Sequence, residues 1–114
     1  LKRAGLDRYE WRYIDRIVFR GFKKYKQTVE VFGYKENSNN NNLKLIKLFH
    51  QGLEHYYNKD WDSAIKFFKD SLKYEAIEHS IDLNPSAVFL ERCKQYKIKN
   101  PDSNWNGIMK LNKK

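Results

Sequence analysis

Residues 43–72, Leu43-Lys-Leu-Ile-Lys-Leu-Phe-His50-Gln-Gly-Leu-Glu-His-Tyr-Tyr-Asn-Lys-Asp60-Trp-Asp-Ser-Ala-Ile-Lys-Phe-Phe-Lys-Asp70-Ser-Leu72, decide how this chain folds. Leu45, Leu48, Phe49, Gly52, Leu53 and Tyr56 recur at intervals of three and four, the period of one face of an α-helix. That run predicts a first helix ending near Asn58. Asp60 has the short acceptor side chain that satisfies free N–H groups in a first helical turn, so a second helix is expected to start after it. The second stripe is Trp61, Ala64, Ile65, Phe68 and Leu72, with Lys66, Lys69, Asp70 and Lys73 pointing away. This helix is expected to run on through Ala76 and Ile77. A connection of about two residues favours an antiparallel helix pair.

Downstream, Asn84-Pro85-Ser86 restarts a helix, because a proline in the first turn loses no hydrogen bond that the turn could have made. Val88, Phe89, Cys93 and Tyr96 form its apolar stripe, and Asn100-Pro101-Asp102 stops it. The tail Trp105-Asn-Gly-Ile-Met109 reads as an extended arm that packs one tryptophan. Upstream, Lys35-Glu-Asn-Ser-Asn-Asn-Asn-Asn42 is polar and of low complexity, the composition of a flexible linker. Before it, Trp11-Arg-Tyr-Ile-Asp-Arg-Ile-Val-Phe-Arg20 and Thr28-Val-Glu-Val-Phe-Gly-Tyr34 alternate as strands, with Val29 and Val31 on one face and Thr28, Glu30 and Phe32 on the other. Gly21 supplies a turn between them. A lone strand pair is marginal in water and needs a sheet or helix to cover it.

The fold class expected is therefore α+β: a short antiparallel strand pair (1–34), an Asn-rich linker (35–42) and a small all-α unit of about three helices with a tail (43–114). The first residue is leucine, which gives the expectation of further sequence upstream. The formal net charge is +9. Because the excess is spread along the chain, it points to solubility and weak polyanion affinity rather than a specific nucleic-acid interface. Cys93 is the one cysteine, so no internal disulfide forms and a reducing, cytoplasmic setting is expected. No apolar run approaches the roughly 20 residues that a membrane-crossing helix needs.

The helix pair resembles a tetratricopeptide repeat. Gly52 stands at the small position of the first helix, Trp61 at the aromatic start of the second, and Ala64 at the small position facing the glycine. Phe68 and Ser71 follow at the next aromatic and small positions. His55 stands where that repeat usually has Tyr, and Ala76 where it has Pro. The resemblance implies helix-crossing roles for Gly52, Trp61, Ala64, Phe68 and Ser71, and a need for a third helix or a neighbour, because one repeat cannot bury its own face.

The order of the pieces carries a second likeness. Asp15-Arg-Ile-Val-Phe-Arg-Gly21 followed by Val29-Glu-Val-Phe-Gly33 resembles the last two strands of class III adenylate/guanylate cyclase catalytic domains. Many bacterial members continue with a helical extension, matched here by Trp61-Asp-Ser-Ala64-Ile-Lys-Phe-Phe68, Pro85-Ser86, Leu90-Glu-Arg-Cys93 and Trp105-Asn-Gly107. The loop after Gly21 is longer than usual, and Asn106 stands where Asp is common. The resemblance implies a parent enzyme that turns ATP or GTP into the 3′,5′-cyclic nucleotide and pyrophosphate. It also implies Mg or Mn held by carboxylates upstream, a homodimer, and no catalytic residue or metal ligand within this chain. One binding residue is implied: Arg20, the basic residue before the turn glycine, as a contact to the nucleotide triphosphate. The helical segment would serve packing, regulation or a protein partner.

The competing reading is a stand-alone tetratricopeptide-like interaction module whose strands add to a partner's sheet. A basic polyanion binder is a third. His50, His55 and His79 show no spacing of a metal site, and Cys93, on an apolar stripe, reads as a buried inert thiol.

Overall fold

The computed structural model describes residues 5–19, 21, 23–76 and 84–111. The β-branched and aromatic run at the start forms strand β1, Tyr9–Phe19, and the second alternating run forms β2, Lys26–Tyr34. They pair antiparallel, with Trp11 opposite Val31, Arg12 opposite Glu30 and Tyr13 opposite Val29. Gly21, in the connection, has φ +89°, a conformation other residues resist. The alternation holds: Thr28, Glu30 and Phe32 all reach Asp15 or Arg12 on β1, whereas Val31 is exposed.

The Asn-rich stretch does more than link. Lys35–Asn37 makes a single 3₁₀ turn, and helix α1 runs Asn40–Tyr57, three residues earlier than its apolar pattern begins. The physical reason is the cap: Asn39 Oδ1 accepts from the Asn42 N–H at 2.8 Å, so polar residues carry the first turn. Helix α2, Trp61–Leu72, starts after Asp60, whose carboxylate accepts from the Ser63 N–H as expected. It ends before Ala76, because Lys73, Tyr74 and Glu75 bond to carbonyls three residues back and turn the chain. Ile77 lies outside the described residues. On α2 the inward residues are Trp61, Ala64, Phe68 and Ser71, while Leu72 is exposed. Helix α3, Pro85–Ile98, carries Pro85 in its first turn and is capped by Asn84 Oδ1 on the Ala87 N–H. It buries Ser86, Phe89, Leu90 and Cys93, so Leu90 joins the stripe and Val88 stays half-exposed.

The core is aromatic. Phe49, Tyr56, Phe68 and Phe89 are at most 1% exposed and meet with ring centroids 5.0–5.5 Å apart, mostly edge to face. Gly52 lets α2 approach α1: a Cβ there would lie 2.6 Å from the Phe68 ring. The ring of Phe68 lies closest to the glycine, where the sequence pattern put Ala64.

The tail is a strand. Ile108–Leu111 forms β3 and pairs parallel to β1, Arg16 with Ile108 through Phe19 with Leu111, giving the sheet order β2-β1-β3. Trp105 packs on Tyr56, Trp61 and Tyr96. The turn into β3 needs Gly107, whose φ is +79° and whose missing side chain leaves room for Tyr57; a Cβ would come 2.3 Å from that ring. Among the described residues, no helix is long and apolar enough to cross a membrane.

Candidate functional site at the strand–helix junction

Three charged side chains and two serines join the strands to the helices. Arg12 is fully buried. Its Nε and Nη2 donate to Glu30 Oε1 at 2.9 and 2.6 Å, and its Nη1 and Nη2 donate to the two Glu75 oxygens at 2.9 Å each. The guanidinium lies 4.6 Å from the Phe49 ring centroid and 5.3 Å from that of Phe32. A planar fork suits this position, because it serves two carboxylates at once and stacks on rings. Glu75 also accepts from the N–H and hydroxyl of Ser86 in the first turn of α3, and Ser86 Oγ lies 2.7 Å from Ser71 Oγ. Burial pushes the Glu75 carboxyl up, but Arg12 and Ser86 outweigh it and hold it below its ordinary value.

A second pair lies beside the first. The ladder between β1 and β2 slips between Tyr13 and Arg16, where Thr28 Oγ1 and the Gln27 side-chain amide reach the Asp15 backbone. Such a bulge re-aims side chains. Here Asp15 meets Arg92 of α3 at 2.9 Å, and the Arg16 guanidinium carbon lies over the Tyr57 ring, 3.8 Å from its centroid. Burial works against the Arg92 charge, yet Asp15 and the Tyr56 hydroxyl raise its pKa. Burial pushes the Tyr57 hydroxyl up to about 12.

Arg16, Tyr13, Tyr25, Gln27, His50, Leu53, Glu54 and Tyr57 line a pocket of about 460 Å³. Its chemistry is mainly that of hydrogen-bond donors. Arg16 Nε and the Tyr57 hydroxyl are buried without a partner, and Arg16 Nη1 donates to the Asn106 carbonyl at 3.3 Å. His50 Nε2 accepts from the Tyr13 N–H at 2.9 Å, which requires the neutral ring and leaves Nδ1 as its donor. Burial, and then the charge of Arg12, hold its pKa below the ordinary value.

Arg20, the residue implied as a triphosphate contact, lies outside the described residues, as does His79. Gly52, Trp61, Ala64, Phe68 and Ser71 are all buried at the contacts among α1, α2 and α3. Trp61 Nε1 donates to Asn100 Oδ1 at 2.7 Å, and Ser71 is part of the polar chain to Glu75. His55 stacks on Phe67 and lies 3.3 Å from Asp60. Cys93 is buried and its thiol is pushed up to about 12, so it is unreactive at neutral pH. Among the described residues, no three His, Cys, Asp or Glu side chains are grouped to hold a metal ion.

Sequence reading missed Arg12, Glu30, Glu75 and the Asp15–Arg92 pair. One signal was there: Arg12 and Glu30 stand on facing alternating strands, where opposite charges pair. Compared with known proteins, the chain matches no family model, no curated protein and no solved structure.

Proposed function

We propose that this chain is the C-terminal segment of a class III nucleotide cyclase: two closing strands of the catalytic domain, bonded to a tetratricopeptide-like helical extension. One observation carries this reading. The sequence pieces that resemble that family lie far apart in the chain and meet in space. Asp15 pairs with Arg92 at 2.9 Å, Arg16 reaches the Asn106 carbonyl, and Trp61 lies 5.5 Å from Trp105 between ring centroids. Residues that hold an extension against a catalytic domain would have to meet in this way.

The tetratricopeptide likeness is supported by the close approach at Gly52 and by the buried Ala64, Phe68 and Ser71 on α2. The parent reaction is cyclisation of ATP or GTP with release of pyrophosphate. The described residues of this chain do not fit the Mg or Mn such a reaction uses, and those ions are assigned to carboxylates upstream. The chain's own part is to close the sheet, to offer Arg20 to the triphosphate, and to fix the extension on the dimer in a cytoplasmic setting.

The test is an assay of the longest natural product of this gene with ATP and with GTP, in Mg and in Mn. Cyclic nucleotide is expected from that protein and none from residues 1–114 alone. In the long protein, Arg20→Ala is expected to raise KM or lower kcat. A folded long protein that makes no cyclic nucleotide overturns the proposal. The stand-alone interaction module then becomes the better reading; the exposed edge of β2, with Val31 and Tyr34 open to solvent, favours it as the second choice.

A further inference from the structure

Glu10 is 6% exposed, and its Oε2 is buried without a hydrogen-bond partner. A carboxylate withdrawn from water needs a cation or several donors in exchange. The neighbouring cation along β1, Arg12, already spends its donors on Glu30 and Glu75. Lys35 lies at the same place, but no ion pair joins it to Glu10; its backbone N–H is held by the Arg8 carbonyl at the entry to the 3₁₀ turn.

Glu10 lines a pocket of about 360 Å³ between the start of β1 and the start of α1. Tyr9 and Trp11 flank it on the strand, and Tyr9 is stacked on Tyr34 at 4.8 Å. Leu43, half-exposed, and Ile46 supply apolar surface from α1. Aromatic rings offer a negative face to a cation, and apolar walls suit a methylene stem. A compact ammonium, a point charge on a flexible methylene stem, suits a carboxylate set beside apolar walls. A metal ion would need further carboxylate or imidazole ligands, and no such group occurs among the described residues.

We propose that this pocket binds a primary alkylammonium, of the kind a lysine side chain or a free diamine carries. The ammonium sits on Glu10 and its methylene stem lies along Leu43 and Ile46 beside Tyr9 and Trp11. The site is separate from the strand–helix junction and does not depend on the cyclase reading.

The experiment titrates isotope-labelled protein with Nα-acetyl-lysine-N-methylamide, with cadaverine, and with the norleucine derivative, which has a similar stem without the charge. The two ammonium probes are expected to saturate and to shift the resonances of Glu10, Trp11 and Leu43. The norleucine derivative binds at least about tenfold more weakly. Glu10→Gln keeps the shape and loses about tenfold or more for the ammonium probes, with an otherwise native spectrum. Leu43→Ser, at an exposed position, weakens both probes through the stem alone and serves if the Gln variant fails to fold. Tighter binding of the lysine derivative assigns the site to a protein side chain, and tighter binding of cadaverine to a free amine; both support the proposal. Equal binding of the norleucine derivative, an unchanged Glu10→Gln affinity, or no saturation by either ammonium probe overturns it.

Discussion

Asp15 of β1 and Arg92 of α3 meet at 2.9 Å, with side chains 9% and 21% exposed, and so bind the first strand to the last helix. Breaking a buried pair from one side leaves the other charge without compensation. Asp15→Asn is therefore expected to destabilise by about 3 kcal/mol in urea unfolding, and Arg92→Met by a similar amount. The double variant should lose clearly less than the two losses added. Strict additivity would mean that the pair contributes nothing as a pair.

Arg12 makes the same point with two acids. Arg12→Met leaves Glu30 and Glu75 facing a thioether and is expected to cost about 3–5 kcal/mol at neutral pH. The Glu75 pKa is held below 4.5 in the fold, so its ionised form contributes stability above that value, and the contribution is lost as pH falls through the folded pKa. The gap between wild type and Arg12→Met should therefore narrow in acid. Denaturation curves over a pH series check this, and a constant gap contradicts it.

His50 titrates with the same sign in a different window. Its folded pKa lies below the ordinary 6.5, so its stabilising contact with the Tyr13 N–H is fully present above 6.5 and is lost as pH falls toward the folded value. His50→Gln, which keeps an acceptor without the titration, should flatten the stability profile just below 6.5. Thermal melts across that range provide the measurement.

Gly52→Ala places a Cβ 2.6 Å from a fully buried Phe68 ring. The ring is enclosed by Phe49 and Phe89 and cannot withdraw cheaply. A loss of about 1–3 kcal/mol is expected. Adding Phe68→Leu should recover part of it, because the two changes share one space.

Cys93 offers a simple check on the core. With its thiol pushed up to about 12 and its side chain buried, reaction with a disulfide reagent should be slow in the native protein and fast in denaturant. Rapid labelling under native conditions would show that α3 opens readily.

The helices were legible because a 3.6-residue period survives any tertiary context, and Asp60 and Asn84-Pro85 mark the starts of α2 and α3 locally. The strand pair was legible for a similar reason, since alternation reports which side is covered. β3 was not. Four residues are too few to show a period, and the partner strand that holds them lies at the other end of the chain. Helix α1 began early because Asn39 caps it, while the composition of the Asn tract suggested a loop. Arg12 and Glu10 were missed because charged residues are read as solvent-facing by default. Nothing near Arg12 in the sequence announces Glu75, and a pocket leaves no mark on composition.

The parallel pairing of β1 with β3 has a consequence for how the molecule is made. A ribosome delivers Tyr9–Phe19 well before Ile108–Leu111. At about 5–20 residues per second, roughly 5–20 s pass before the first strand can meet its final neighbour. Through that interval one rim of the nascent sheet stays open, and the helices emerging in between can shield it. Chaperones would find their target there, and a stall before Ile108–Leu111 emerges would leave that rim sticky.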